Sequence, residues 1–143
     1  MKENPVIVEA LYDAPSNKVW NAITDKDEMQ KWYFQVSDFK AEPGFEFHFN
    51  GGTENKTYVH LCKITDVIPE EKLSYTWRFQ GVPGNSLLTF ELFAEENKTR
   101  LKLTHQGLET FPAEPDFAKE NFKLGWNQII GTNLKKFLES KSL

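Results

Sequence analysis

The sequence has little of what most protein chemistry needs. Its 143 residues include one cysteine, Cys62, so the chain can form no internal disulfide and no thiolate metal cluster. Beside Leu61 and Ile64 in a strand-like pattern, Cys62 reads as a small buried hydrophobe rather than a reactive thiol. No apolar run approaches the length of a membrane span, and the N-terminus lacks the apolar core of a signal peptide, so a cytoplasmic location is expected. Basic residues number 17 against 21 acidic ones, a net charge of -4, and phosphate binding needs the opposite balance. Nucleic acid is therefore not an expected partner. There is no G-x-S-x-G, H-E-x-x-H, Walker loop or G-x-G-x-x-G. Gly81-Val82-Pro83-Gly84 is a turn and not a phosphate cradle, because no basic residue and helix start follow it.

What the chain does have is aromatic rings. They make up 14% of the residues, with 12 Phe and 4 Trp, enough to fill a thick core or to line a pocket. Near the C-terminus, Phe117, Phe122, Trp126, Ile129, Ile130, Leu134, Phe137 and Leu138 recur at helical spacing, opposite a face of lysine, glutamate, asparagine and glutamine. The spacing predicts one long helix from about Pro115 to Leu138, with Pro115 and Asp116 in its first turn and Lys135, Lys136 and Lys141 at its end. Gly125 and Gly131 interrupt it, each at a cost of about 1 kcal/mol. Such glycines are tolerable where the backbone passes close to a sheet, or where space is left beside Trp126.

Ahead of that helix the pattern is nearly all strand. Val6 to Tyr12 is β-rich, and Asp13-Ala14-Pro15-Ser16 breaks it. Ser16 can cap a short helix bearing Val19, Trp20 and Ile23. Thr24 or Asp25 can cap a second, with Met29, Trp32 and Tyr33 on its apolar side. Strands then follow in order: Val36 to Phe39, the Phe45-Phe47-Phe49 alternation, Tyr58 to Val67, Leu73 to Phe79, Leu88 to Leu92, and Leu101 onward. Gly51-Gly52 and Asn55-Lys56 mark a turn, as do Pro69-Glu70-Glu71 and Glu95 to Lys98. No repeat or linker divides the chain, so residues 1–143 read as one α+β domain. Its expected form is a curved antiparallel sheet wrapped around the long C-terminal helix, with two short helices after the first strand.

The three histidines lack a ligand spacing, so no metal and no cofactor is expected. His48 and His60 could lie on neighbouring strands, facing solvent or accepting a local hydrogen bond. His105 continues the parity of Leu101 and Leu103 and should point inward. There it is either a satisfied core group or a ligand contact, acid or base. Trp32, Trp77 and Trp126 come from the short helices, the sheet and the long helix, the three sides that would enclose a cavity; plain core packing is the alternative. With Phe47, Phe49, Phe90 and Leu103 on the inward strand parity, and Ile130 on the helix stripe, these residues are the candidate ligand contacts. Arg78 and Glu91 fall on the outward parity and read as solvated cross-strand charges.

Four segments, in order, carry a resemblance. Tyr12-Asp13-Ala14-Pro15 with Val19-Trp20-Asn21-Ala22-Ile23-Thr24-Asp25 and Lys31-Trp32-Tyr33 resembles the opening of the activator of heat-shock-protein ATPase homologues (AHSA-type). Pro69 through Leu73-Ser74-Tyr75-Thr76-Trp77 resembles their mid-chain strand. Thr99-Arg100-Leu101-Lys102-Leu103-Thr104-His105-Gln106-Gly107-Leu108 resembles their final strand, and Gly125-Trp126 with the helix after it completes the set. The resemblance implies the helix-grip superfamily (START/SRPBCC, the birch-pollen-allergen type and polyketide cyclases), often with a hydrophobic cavity between sheet and helix. It implies two kinds of partner, a small hydrophobic ligand and a heat-shock chaperone. One eukaryotic branch stimulates the chaperone's ATPase and carries an additional N-terminal domain, for which 143 residues leave no room; a stand-alone domain without that stimulation is expected. Three functions follow as expectations: a ligand-binding module, a chaperone-docking stress-response protein, and a cyclase-like enzyme on an apolar substrate using His105.

Overall fold

The computed structural model describes residues 5–33, 35–52, 57–113 and 117–140, side chains excepted at 52 and 140. Six strands form one antiparallel sheet in the order β1-β6-β5-β4-β3-β2. They are β1 (Val6–Tyr12), β2 (Glu46–Gly52), β3 (Thr57–Ile68), β4 (Lys72–Phe79), β5 (Ser86–Glu95) and β6 (Lys98–Gln106). Between β1 and β2 lie α1 (Ser16–Thr24) and α2 (Lys26–Trp32). A 3-10 turn (Leu108–Thr110) leads from β6 towards the C-terminal rod, which is α3 (Lys119–Gln128), a π-helical turn (Ile129–Asn133) and α4 (Leu134–Ser140).

Alternation decides which face of the sheet is covered. Tyr58, His60, Cys62 and Ile64 of β3, Leu88, Phe90 and Leu92 of β5, and Leu101, Leu103 and His105 of β6 are buried, while their neighbours reach towards solvent. On the rod, Trp126, Ile130, Leu134 and Leu138 are buried at steps of four, one stripe against the sheet. Together they give the α+β architecture that the patterning implied, a sheet wrapped around the C-terminal helix, as the resemblance to helix-grip proteins also implied.

The rod is fastened at the end of β1. A π turn shifts the backbone bond so that the Leu134 N–H donates to Ile129 O. That frees the Ile130 carbonyl, which accepts the Tyr12 hydroxyl at 2.7 Å. Lys135 Nζ donates to Leu11 O and pairs with Glu139, whose carboxylate also accepts the Asp13 N–H. Those two donors hold the Glu139 carboxyl below its usual range. The Thr99 hydroxyl donates to Ala14 O, fixing the turn after β1.

Several local expectations are corrected. Val36 to Phe39 is no strand, so five strands follow the short helices and not six. Val36 and Phe39 are both buried, three residues apart, a spacing that no pleat provides. Gly51 and Gly52 belong to β2, paired with Tyr58 and Thr57. Asn55-Lys56, Pro115-Asp116 and Lys141 lie outside the described residues. The C-terminal helix is not uniform, because the π turn interrupts it. Ser16 makes no capping bond; α1 has Pro15 at its cap position and the Ser16 hydroxyl meets Thr99 instead. Asp25 does cap α2, accepting the Asp27 N–H at 2.9 Å. At Gly125 and Gly131 an added Cβ would meet nothing within 4 Å, so neither glycine serves a close backbone approach.

Candidate ligand site

Every candidate contact is buried on the sheet-facing side: Trp32, Phe47, Phe49, Trp77 and Phe90 from α2 and the strands, and Leu103, His105, Trp126 and Ile130 from β6 and the rod. The space between sheet and rod holds rings in mutual contact. Trp77 is central, with ring centres 5.5 Å from Phe49, 4.9 Å from His60, 5.3 Å from Trp126 and 5.5 Å from His105, all edge to face. Phe47 reaches Tyr75 at 5.0 Å and stacks beside Phe49. Trp32 is anchored separately, its Nε1 donating to Ala22 O.

His105 is held at both nitrogens. Trp126 Nε1 can only donate, and it donates to Nδ1 at 3.0 Å, so Nδ1 carries no proton. Nε2 therefore carries it and donates to Ser86 Oγ at 2.8 Å, and that hydroxyl donates on to Trp77 O at 2.7 Å. The chain of donors runs from rod to sheet backbone and leaves His105 neutral, its pKa pushed down to about 3 by burial. In this arrangement the ring cannot take a proton from Ser86, since the nitrogen facing the hydroxyl already has one. Both ring nitrogens of His105 are thus satisfied within the protein.

His60 and His48 point to opposite faces. His60 is buried and stacked on Phe49 at 4.6 Å, its pKa lowered to about 4 by burial, and Nδ1 lies 3.1 Å from Tyr58 O. His48 is exposed opposite Leu61. The two do not converge, and among the described residues no three His, Cys, Asp or Glu side chains are grouped to hold a metal.

The remaining interior polar groups are neutral. Tyr33 and Tyr75 hydroxyls lie 2.9 Å apart, and burial raises both pKa values well above the ordinary phenol range. Burial likewise pushes the nearby Cys62 thiol up. Among the described residues the buried polar ones are His60, Ser74, Ser86, Thr99 and His105, none of them charged. Among the described residues one interior donor has no acceptor: Trp77 Nε1, in a residue only 4% exposed. Leaving a buried N–H unpaired costs about 1–3 kcal/mol.

Outside this interior lies an open cleft of about 870 Å³ between the end of α2 and the last turns of the rod. Lys31, Trp32 and Tyr33 form one wall, and Asn133, Lys136, Phe137 and Glu139 the other. Tyr33 belongs to both regions. Its ring stacks 6.2 Å from Trp126 and lies 5.8 Å from Phe49 while also lining the cleft.

Sequence reasoning missed Tyr33, Tyr75 and Ser86. Ser86 had a signal, since it shares the parity of Leu88 and Phe90 and faces Trp77 in register. Tyr75 likewise shares the parity of Leu73 and Trp77. Tyr33 had one too, since it follows Met29 by four residues on the apolar side of α2, although its place at the helix end gave no sign of the cleft.

The fold recurs among solved structures. Protein MLL2253 from Mesorhizobium loti superposes with a TM-score of 0.80 at 28% identity, over 97% of this chain and 99% of that one. Protein CV1439 from Chromobacterium violaceum has a TM-score of 0.81 at 23% identity, over 95% and 97%. DynU16, a protein of the dynemicin biosynthetic locus, has a TM-score of 0.79 at 23% identity; it matches over 97% of this chain, which spans about half of DynU16 at 48%. No curated protein matches the sequence. The model of the family described as Activator of Hsp90 ATPase homolog 1-like protein matches residues 13–139. Its span runs from the turn after β1 through the short helices and the meander to the gripped rod, and the chain belongs to that family, within the helix-grip superfamily.

Proposed function

We propose that the protein binds a small apolar or amphipathic molecule between sheet and rod, entering from the cleft beside α2. The observation that supports this most is the position of Tyr33, which lines the cleft and at the same time packs on Phe49 and Trp126 in the aromatic interior. A molecule replacing that ring would meet aromatic walls on both sides. Burying about 200 Å² of it yields on the order of 5 kcal/mol before entropy costs, hence micromolar to millimolar affinity for a generic probe. A cyclase-like activity through His105 has no support in the proton arrangement described above.

The test uses the neutral dye 1-aminoanthracene with the native protein. A saturable fluorescence increase, weakened by Phe137→Glu at the cleft, supports the reading; no saturable signal refutes it. The family description favours a second reading, docking on a heat-shock chaperone. It is tested by adding the protein to purified chaperone, where a saturable several-fold rise in ATP hydrolysis would replace ligand binding as the leading function.

A further inference from the structure

The open cleft between α2 and the end of the rod differs in chemistry from the neutral interior behind it. Its charged lining is Lys31 on one wall and Lys136 and Glu139 on the other. Glu139 is already engaged, because its Oε2 accepts both Lys135 Nζ at 3.0 Å and the Asp13 N–H at 3.1 Å. Neither Lys31 nor Lys136 has a carboxylate partner among the described residues. Both are exposed, in a chain whose 21 acidic residues outnumber its 17 basic ones. Asn133 adds a third donor. Its Oδ1 is taken by Gln128 Nε2 at 3.1 Å, so the Nδ2–H2 group remains to donate. Lys136 and Phe137 follow Asn133 by three and four residues, which puts all three on the face of the rod that lines the cleft. The polar groups left to an occupant are thus donors, two of them positively charged. A neutral apolar molecule satisfies none of them, whereas an anionic group satisfies all three. Close to the lysines in sequence stand two rings, Tyr33 on one wall and Phe137 on the other.

We propose that this cleft is itself an anion-recognition site. It takes a small amphipathic acid whose phosphate or carboxylate lies between Lys31 and Lys136 and accepts from Asn133, with the apolar body between Tyr33 and Phe137. No ring of the packed interior has to move for this, so the site is independent of any molecule held between sheet and rod.

The test is an NMR titration of the 15N-labelled wild-type protein at neutral pH with 2-naphthyl phosphate, 2-naphthoate and the uncharged 2-naphthalenemethanol. The Asn133 side-chain amide and the Lys136 backbone amide should move with both acids. The alcohol should bind about fivefold more weakly than either acid, and added salt should weaken the acids alone. A tighter phosphate identifies the head group as a phosphate monoester and a tighter naphthoate as a carboxylic acid; either supports the proposal. Lys31→Met and Lys136→Met alter exposed side chains, so both variants should fold. Each should weaken the acids about two- to fivefold, the worth of one exposed charge contact, and leave the alcohol unaffected. If the alcohol binds as tightly as the acids, or if neither lysine variant changes their affinity, the cleft is no anion site. If the acids move Trp77 and His105 while Asn133 and Lys136 stay still, the proposal falls and interior binding stands. If no resonance moves, the proposal falls, and interior binding is decided separately by 1-aminoanthracene.

Discussion

Lowering the pH from 7 to 5 is expected to cost this protein several kcal/mol of stability, through two residues. His60 and His105 are buried neutral, with native pKa values of about 4 and about 3 against an ordinary 6.5. Both values are depressed, so between pH 6.5 and 4 the unfolded chain binds two protons that the native state refuses. Stability therefore rises with pH in this window and is lost on acidification, by about 1.4 kcal/mol per pH unit for each histidine once the pH is below 6.5. Integrated from pH 7 to pH 5, each contributes about 1.8 kcal/mol, and the pair about 3–4 kcal/mol. The lowered carboxyl of Glu139 acts only below the usual carboxylate range and leaves this window to the histidines. The assay is urea unfolding at the two pH values, followed by circular dichroism and tryptophan fluorescence. His60→Phe keeps a ring beside Phe49, Trp77 and Phe79 and should roughly halve the loss. A loss below about 1 kcal/mol in the wild type would refute the buried, neutral assignment of both rings.

Gly125→Ala should raise stability by about 1 kcal/mol, because the added Cβ meets nothing within 4 Å and the helix gains a better former; a lower melting temperature would contradict the open space seen there. Tyr12→Phe should cost about 1–3 kcal/mol by orphaning the Ile130 carbonyl of the π turn, measured as a lower urea midpoint at unchanged m-value. Arg100→Ala should leave the urea midpoint nearly unchanged, since Arg100 and its partners Glu9 and Glu95 are exposed to solvent, and high salt should erase any difference.

Much of the fold follows from period-two alternation. Phe47 and Phe49, or Leu101, Leu103 and His105, announce which face is buried, because one residue of slip would turn every ring outward. Val36 and Phe39 misled, because two β-formers in a short irregular segment carry no period. The π turn was not legible either: it depends on Tyr12, over a hundred residues away, which takes the Ile130 carbonyl. For the site, inward parity located Trp77 and His105, and the helical stripe located Trp126. What parity cannot give is which nitrogen of His105 is protonated, since that depends on Trp126 as donor and Ser86 as acceptor. Nor can it show that Trp77 Nε1 lacks a partner, or that Tyr33 joins the cleft to the interior, since both depend on rings from distant segments.

The most direct test of ligand binding is native mass spectrometry of the protein purified from its own cells under gentle conditions. A bound species should appear as a constant mass increment, and it should be released on denaturation as a small apolar or amphipathic molecule. The wild type should carry it and Phe137→Glu should carry less. Protein that arrives at its bare sequence mass, and stays so after incubation with an extract of its own cells, would contradict the account.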